Sequence, residues 1–239
     1  MVVKSELKLI KSLQQKKYRN EHGLFVVEGK KTLEEVLRSE IKLFRLLMVA
    51  PETFDDTEVE ITKISKRELG QISSLKNPNG FLGVFHIPDP HKKIDSDWIL
   101  VLDGIQDPGN LGTIIRLCDW FGITDIVCSA DTVDCYNPKV LQATMGSIAR
   151  VNVQYSALDE FLKTSTLPVY GTFMEGVALR NAQLPKRGIL IMGNEGKGVS
   201  EGVAQWCSEK ITIPQFGNST AESLNVASAT AIVLNEIRR

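Results

Sequence analysis

Three stretches in the second half of this 239-residue chain gather glycine, proline, amide, carboxylate and guanidinium groups more densely than a simple connection needs. The first, Leu102 to Arg116, reads LDGIQDPGNLGTIIR. An apolar strand ends there, and Gly104, Pro108, Gly109 and Gly112 shape a tight path into a helix. Asn110 stands at the helix start, where it is a favoured N-cap, and Arg116 falls in the second turn. The second, Met192 to Ser200, reads MGNEGKGVS. Its glycines, Gly193, Gly196 and Gly198, leave backbone amides free to approach a ligand closely, and Glu195 adds a negative charge. The third, Ile213 to Ile237, reads IPQFGNSTAESLNVASATAIVLNEI. There Ser223, Leu224 and Asn225 open a helix whose small residues, Ala227 to Ala231, permit close packing. Each stretch also has a plainer reading: a capped strand-to-helix turn with a surface arginine, a glycine-rich connection, a tightly packed terminal helix.

Several chemistries are excluded. The glycine loop at 193–198 is not a Walker loop, because Gly198 follows Lys197 where Ser or Thr should stand, and no GxGxxG is present in either glycine-rich stretch. The three histidines, His22, His86 and His91, all lie in the first half, so the loops above have neither a histidine base nor a histidine-ligated metal. Cys118, Cys128, Cys135 and Cys207 form no CxxC pair and fit no zinc spacing, which leaves reduced structural thiols. No metal is expected.

The elements that must position these loops alternate strand and helix. After a proline- and charge-rich segment at 87–97, which reads as a linker, strands are expected at 98–102, 125–128, 151–155, 169–173, 189–192 and 210–213. Helices are expected at 110–121, 138–148, 200–207 and 223–237. Such alternation implies a mostly parallel sheet covered on both faces. Ligands in such sheets sit at the carboxyl ends of strands, here after Leu102, Phe173, Met192 and Ile213. The front of the chain reads as a smaller α/β unit, with helices at 5–14 and 29–39 and strands at 24–27, 44–49 and 81–85. Two domains follow, 1–90 and 98–239.

Net charge is −1, which by itself signals no polyanionic partner. Residues 98–239 hold 11 basic and 14 acidic residues, whereas residues 1–97 hold 17 and 15. The excess concentrates in residues 1–31, where Lys4, Lys8, Lys11, Lys16, Lys17, Arg19, Lys30 and Lys31 face three acidic residues. That patch can gather phosphates, or it is a solvated helix face. No apolar run reaches the length of a membrane helix, and the amphipathic start is not a signal peptide, so a cytoplasmic protein is expected.

At NLGTIIR (Asn110–Arg116), GNEGKGVS (Gly193–Ser200) and IP…SLNVASATAI (Ile213–Ile232) the chain resembles the SpoU/TrmH branch of the SPOUT RNA methyltransferases, in order and spacing as well as residue type. LFVVEGKKTLEEVL (Leu24–Leu37) and KNPNGFLGVF (Lys76–Phe85) are similar to that family's L30e-like RNA-recruiting domain. The resemblance implies an α/β fold whose second domain carries a deep trefoil knot, S-adenosylmethionine as cofactor, and a homodimer. It implies methylation of a ribose 2′-hydroxyl in ribosomal or transfer RNA. It places cofactor binding at Thr172, Phe173, Gly193, Asn194, Glu195, Gly196, Ile213, Pro214, Ser223, Leu224 and Asn225. Catalysis is assigned to Arg116 with Asn110, Glu195, Ser223 and Asn225. Arg116 would act as base, or would orient an RNA phosphate. Methylation of a base nitrogen, an inactive RNA-binding protein, and a nucleotide-dependent oxidoreductase or kinase stand as alternatives.

Overall fold

The computed structural model describes residues 2–50, 59–89, 93–216 and 223–239, so the proline-rich linker at 87–97 is described except at 90–92. In chain order the elements of the front half are α1 (Lys4–Ser12), α2 (Lys16–His22), β1 (Leu24–Val27), α3 (Lys30–Leu37), β2 (Leu43–Met48), β3 (Ile61–Lys63), α4 (Lys66–Ile72) and β4 (Phe81–His86). There follow β5 (Trp98–Asp103), α5 (Pro108–Trp120), β6 (Asp125–Cys128), α6 (Pro138–Thr144), β7 (Asn152–Tyr155), α7 (Leu158–Thr164), β8 (Val169–Ala178), β9 (Gly188–Gly193), α8 (Glu201–Ala204), β10 (Glu209–Thr212) and α9 (Val226–Ile237). The chain forms two compact units, residues 1–89 with 134–149 and residues 90–133 with 150–239. Residues 134–149 thus pack with the first unit although they lie inside the 98–239 stretch.

The first unit is a four-stranded sheet in the order β1-β4-β2-β3, antiparallel except for the β2–β3 pair. Ile10, Leu13, Leu24, Leu47, Leu69, Ile72 and Leu82 form a core between the sheet and the helices α1 and α4. α4 begins at Ser65, whose hydroxyl accepts from the Glu68 amide while Glu68 accepts from the Ser65 amide, a capping box written in the sequence as S-x-x-E. Arg19 departs from its expected surface role. It is 2% exposed, pairs with Asp134, and donates at 2.9 Å to the carbonyls of Leu13 and Gln14. A guanidinium is tolerated inside because every face of its fork finds an acceptor. It therefore leaves the basic patch, while Lys4, Lys8 and Lys11 share one exposed face of α1 at spacings of four and three.

The second unit is a six-stranded sheet in the order β10-β8-β9-β5-β6-β7, every neighbouring pair parallel. The central strands WILVLD, DIVC and GILIMG are almost wholly buried because helices cover both faces of the sheet. Ile99, Val101, Val127, Ile189 and Ile191 form one core with Leu158, Leu162 and Val203 of α7 and α8. α5 and α9 pack against each other. From β5 the chain steps outward to β6 and β7, and then returns on the other side as β8, β9 and β10. The order therefore reverses between β5 and β9, and in open parallel sheets that reversal opens a crevice at the carboxyl ends.

Two carboxylates hold the entry to this unit. Asp125 is 4% exposed and accepts from the amides of Asp95 (3.2 Å) and Ser96 (3.0 Å), from the Ser96 hydroxyl and from Asn152 (2.7 Å). Burial opposes its charge, but these hydrogen bonds outweigh it and hold the carboxyl below its ordinary range. Asp97 is lowered mainly by its hydrogen bond from Arg238. Arg238 also donates to the carbonyls of Phe121 (2.7 Å) and Gly122 (2.9 Å), clasping the end of α9. A carboxyl whose folded pKa is depressed contributes stability above its unfolded value, near 3.9, and loses it as pH falls through the folded one. The urea midpoint is therefore expected to drop below about pH 4. Asp125→Asn should be less stable at pH 7 and show a flatter acid decline; an acid slope equal to the parent's would refute the assignment.

Candidate functional site

Three loops contribute to the crevice between β5 and β9, those that follow β5, β9 and β10, and the first two are locked to the sheet by polar groups from their neighbours. At the end of β5, Gly104 turns with φ +75 and donates its amide to the Ser129 hydroxyl at 2.8 Å; Ile105 donates to the Thr132 hydroxyl at 3.2 Å. At the end of β9, residues 194–198 close on themselves through paired backbone bonds, Asn194 to Gly198 at 3.0 Å and the reverse at 2.9 Å. The Ser200 amide beyond that turn donates to Asp103 at 2.7 Å. Gly193 is required by close approach, since a Cβ there would stand 2.3 Å from the backbone of Gly198 and Val199. The amides of Gly196 and Gly198 are not free for a ligand as the sequence suggests: Gly196 donates to Asn194 Oδ1 at 2.9 Å, as Lys197 does at 3.0 Å, and Gly198 donates to the Asn194 carbonyl.

The α5 helix starts two residues earlier than its sequence suggests. Pro108 fills the first helical position, where its missing N–H costs nothing, and Asp107 is the cap, accepting from the Asn110 amide at 2.8 Å. Asn110 is thereby released from capping and its side chain reaches across the crevice. Its Nδ2 donates to Glu195 Oε1 at 2.7 Å, and its Oδ1 accepts from Asn225 Nδ2 at 2.8 Å. Asn225 is itself the N-cap of α9, with Oδ1 accepting from the amides of Ala227 (3.0 Å) and Ser228 (3.2 Å). These donors fix every amide orientation in the chain of contacts. Backbone N–H groups demand the oxygen of Asn225, its nitrogen then demands the oxygen of Asn110, and the remaining nitrogen meets the carboxylate. Three loops distant in sequence are joined by two side-chain hydrogen bonds.

Beside this relay lies a cavity of about 930 Å³, within the range of small-molecule sites. Its walls include Thr172 and Phe173 from β8, and Gly193, Asn194, Glu195 and Gly196 from the β9 turn. Ile213, Pro214, Ser223 and Leu224 close it. Asn110, Arg116 and Asn225 are not among the described residues that line it. Arg116 is exposed, and its side chain makes no hydrogen bond or ion pair with any described residue. Six residues beyond Asn110, it lies roughly 9 Å further along α5 and about 120° around it.

Some of the cavity wall had no sequence signal. β8 continues past Phe173 to Ala178, and its pairing with β10 jumps from Gly171 opposite Lys210 to Val177 opposite Ile211. The bulged residues carry Met174 and Glu175 into the wall. Gly176 permits this, since a Cβ there would fall 2.4 Å from the Lys210 carbonyl. Lys197 and Lys210 also line the space, the latter with Nζ 4.8 Å from the centre of the Phe173 ring. Among the described residues no group of three His, Cys, Asp or Glu side chains could hold a metal ion, and no helix is long and apolar enough to cross a membrane.

Residues 97–235 match the model of the SpoU rRNA Methylase family, and residues 4–83 match that of the MRM3-like substrate binding domain. The 23S rRNA (guanosine(2553)-2′-O)-methyltransferase RlmP of Bacillus subtilis is 32% identical over 95% of this chain and 94% of its own length. Among solved structures, a putative RNA methyltransferase of the TrmH family from Porphyromonas gingivalis superposes with a TM-score of 0.89 at 36% identity, covering 100% of this chain and 98% of that one. The AdoMet-bound rRNA methyltransferase from Sinorhizobium meliloti does so with a TM-score of 0.86 at 28% identity, covering 100% and 96%. With a parallel sheet whose order reverses at a glycine-walled cavity, and with these matches along nearly all its length, the chain belongs to the SpoU rRNA Methylase family.

Proposed function

We propose that this protein transfers a methyl group from S-adenosylmethionine to a ribose 2′-hydroxyl of RNA, with ribosomal RNA as the substrate class, and that it does so in the cytoplasm as a homodimer. The observation that carries the reading is the convergence of Asn110, Glu195 and Asn225 beside a cavity sized for the cofactor. Membership of the family, the bound AdoMet of the Sinorhizobium meliloti relative and the rRNA 2′-O activity named for the Bacillus subtilis relative support it. The residues present fit the cofactor. Phe173, Ile213, Pro214 and Leu224 give apolar surface for a ring, while Glu195, Lys197 and Lys210 give charges of both signs for a zwitterionic tail and a sulfonium. The trefoil knot expected from the resemblance belongs to this proposal. Consistent with it, β9 is inserted between β5 and β8 although it follows both in sequence.

The cofactor supplies a methyl group already activated by its positive sulfur. What remains for the protein is to align donor and acceptor and to ready a hydroxyl that is a poor nucleophile while protonated. The relay from Asn225 through Asn110 fixes Glu195, and the cap duties of Asn225 tie that alignment to the start of α9. The resemblance gives Arg116 the role of acting on the ribose, with Ser223 in the cavity wall beside it in that assignment. A guanidinium holds its proton throughout the accessible pH range, so orienting an RNA phosphate and stabilising charge on the 2′-oxygen suit it better than proton abstraction. Labelled methyl from the cofactor should appear in alkali-resistant dinucleotides of ribosomal RNA. Arg116→Ala and Arg116→Lys should abolish that transfer with calorimetric cofactor binding intact. Label in a base, or full turnover by either variant, would overturn the assignment.

A second copy of the chain has an evident place to bind. Trp120 on α5 is 84% exposed, and the adjoining α9 exposes Ile232. A bare tryptophan surface costs free energy in water that burial by a partner recovers. Trp120→Glu is expected to convert the protein to monomers in sedimentation; a parent protein that is monomeric and fully active would end the proposal.

The first unit is proposed to hold the RNA through Lys4, Lys8 and Lys11 on α1, with Lys30 and Lys31 at the start of α3, all exposed. Deleting residues 1–90 is a poor test, because it removes the packing partners of 134–149. Replacing Lys4, Lys8 and Lys11 by Gln should weaken RNA binding and reduce its salt dependence by about three phosphate contacts, leaving cofactor affinity alone. Unchanged RNA affinity would move the RNA surface elsewhere.

A further inference from the structure

Asn194 is expected from the resemblance to touch the cofactor, and it does border the cavity. Its side chain, however, is turned at both ends to the protein's own backbone. Nδ2 donates to the Gly104 carbonyl at 2.6 Å, and Oδ1 accepts from the amides of Gly196 and Lys197. The orientation is forced, because a carbonyl can face only the amide nitrogen and two N–H donors can face only the oxygen. One end of the side chain therefore closes the turn that presents Glu195. The other end fastens that turn to the exit of β5, six residues before Asn110. Gly104 is itself tethered, its amide donating to the Ser129 hydroxyl at 2.8 Å.

We infer that Asn194 is a positioning residue: it couples the β5–α5 and β9–α8 loops so that Asn110 and Glu195 meet, and it does not bind the cofactor through its side chain. The inference rests on the methyl-transfer reading for its kinetic arm only. Without Asn194 Nδ2, the described side-chain links between these two loops are the Asn110–Glu195 bond itself and the Ser200 amide on Asp103, which lies beyond the turn. A shift of about 1 Å in the carboxylate is enough to cost roughly a hundredfold in rate.

Asn194→Asp separates the two ends of the side chain. The oxygen that accepts from Gly196 and Lys197 is kept, while the donor to Gly104 is replaced by an oxygen that repels the carbonyl. Hydrogen exchange should show the 196–197 amides still protected in Asn194→Asp and unprotected in Asn194→Ala. Peptides covering 104–110 should exchange faster in both variants. With labelled cofactor and RNA, Asn194→Asp should lower kcat about a hundredfold while the calorimetric Kd for S-adenosylmethionine changes less than threefold. Combined with Asn110→Ala, which already breaks the contact that Asn194 supports, it should add little further loss. The inference is overturned if Kd rises in step with the loss of kcat, if the two substitutions multiply in full, or if exchange in 104–110 is unaltered. A parent protein that neither binds the cofactor nor methylates RNA would defeat the function proposed above, and leave the exchange arm to decide the coupling.

Discussion

The hydrogen bond from Asn110 to Glu195, 2.7 Å long, joins loops that leave adjacent strands for different helices, and much of the second unit serves to keep it. Two amide side chains and a carboxylate cannot be placed so by local preference, since their residues lie 85 and 115 positions apart. The parallel sheet brings them together by setting β5 beside β9. Ser129, Thr132 and Asp103 then remove the slack at strand ends by accepting amides that would otherwise be satisfied by water. The α9 cap closes the chain of contacts. Asn225 thus has two duties, separated at its two ends: oxygen to the helix and nitrogen to the relay.

Much of this was legible beforehand because the signals were local. β5 and β9 are apolar runs, WILVL and GILIM, and the sites after them are dense in glycine, so both the parallel sheet and two of the loops at its carboxyl ends could be read directly. The six expected strands of the second unit are all present, with ends displaced by a few residues at most except at β8. What escaped depends on partners remote in sequence. Asn110 and Asp107 are both eligible caps, and only the position of Pro108 decides between them. Asn194 looks like a cavity residue until the Gly104 carbonyl is seen beside it. The extension of β8 turns on a bulge against β10 that no periodicity records.

Charge patterning was the weakest guide. A run of basic residues suggested one uniform surface, yet the structure divides it. Arg19 is buried against Asp134 and two carbonyls, whereas Lys4, Lys8 and Lys11 stay in water on one helix face. Nothing near Arg19 in sequence distinguishes it from its neighbours, because the carboxylate that neutralises it belongs to a segment read as part of the other half. The cost of an unpaired interior charge makes such a pair all or nothing, and it ties the 134–149 segment to the front unit together with the Phe25–Tyr136 ring contact, 4.5 Å between centroids.

That arrangement has a consequence for how the chain is made. Arg19 leaves the ribosome 115 residues before its carboxylate does, which at about 5–20 residues per second is a delay of roughly 6–23 s. During that interval the nascent front unit carries an unneutralised guanidinium and an uncovered Phe25. It therefore stays incomplete until β5, α5 and β6 of the other unit have been synthesised. The two halves cannot mature one after the other in the order of translation, and their assembly has to be interleaved.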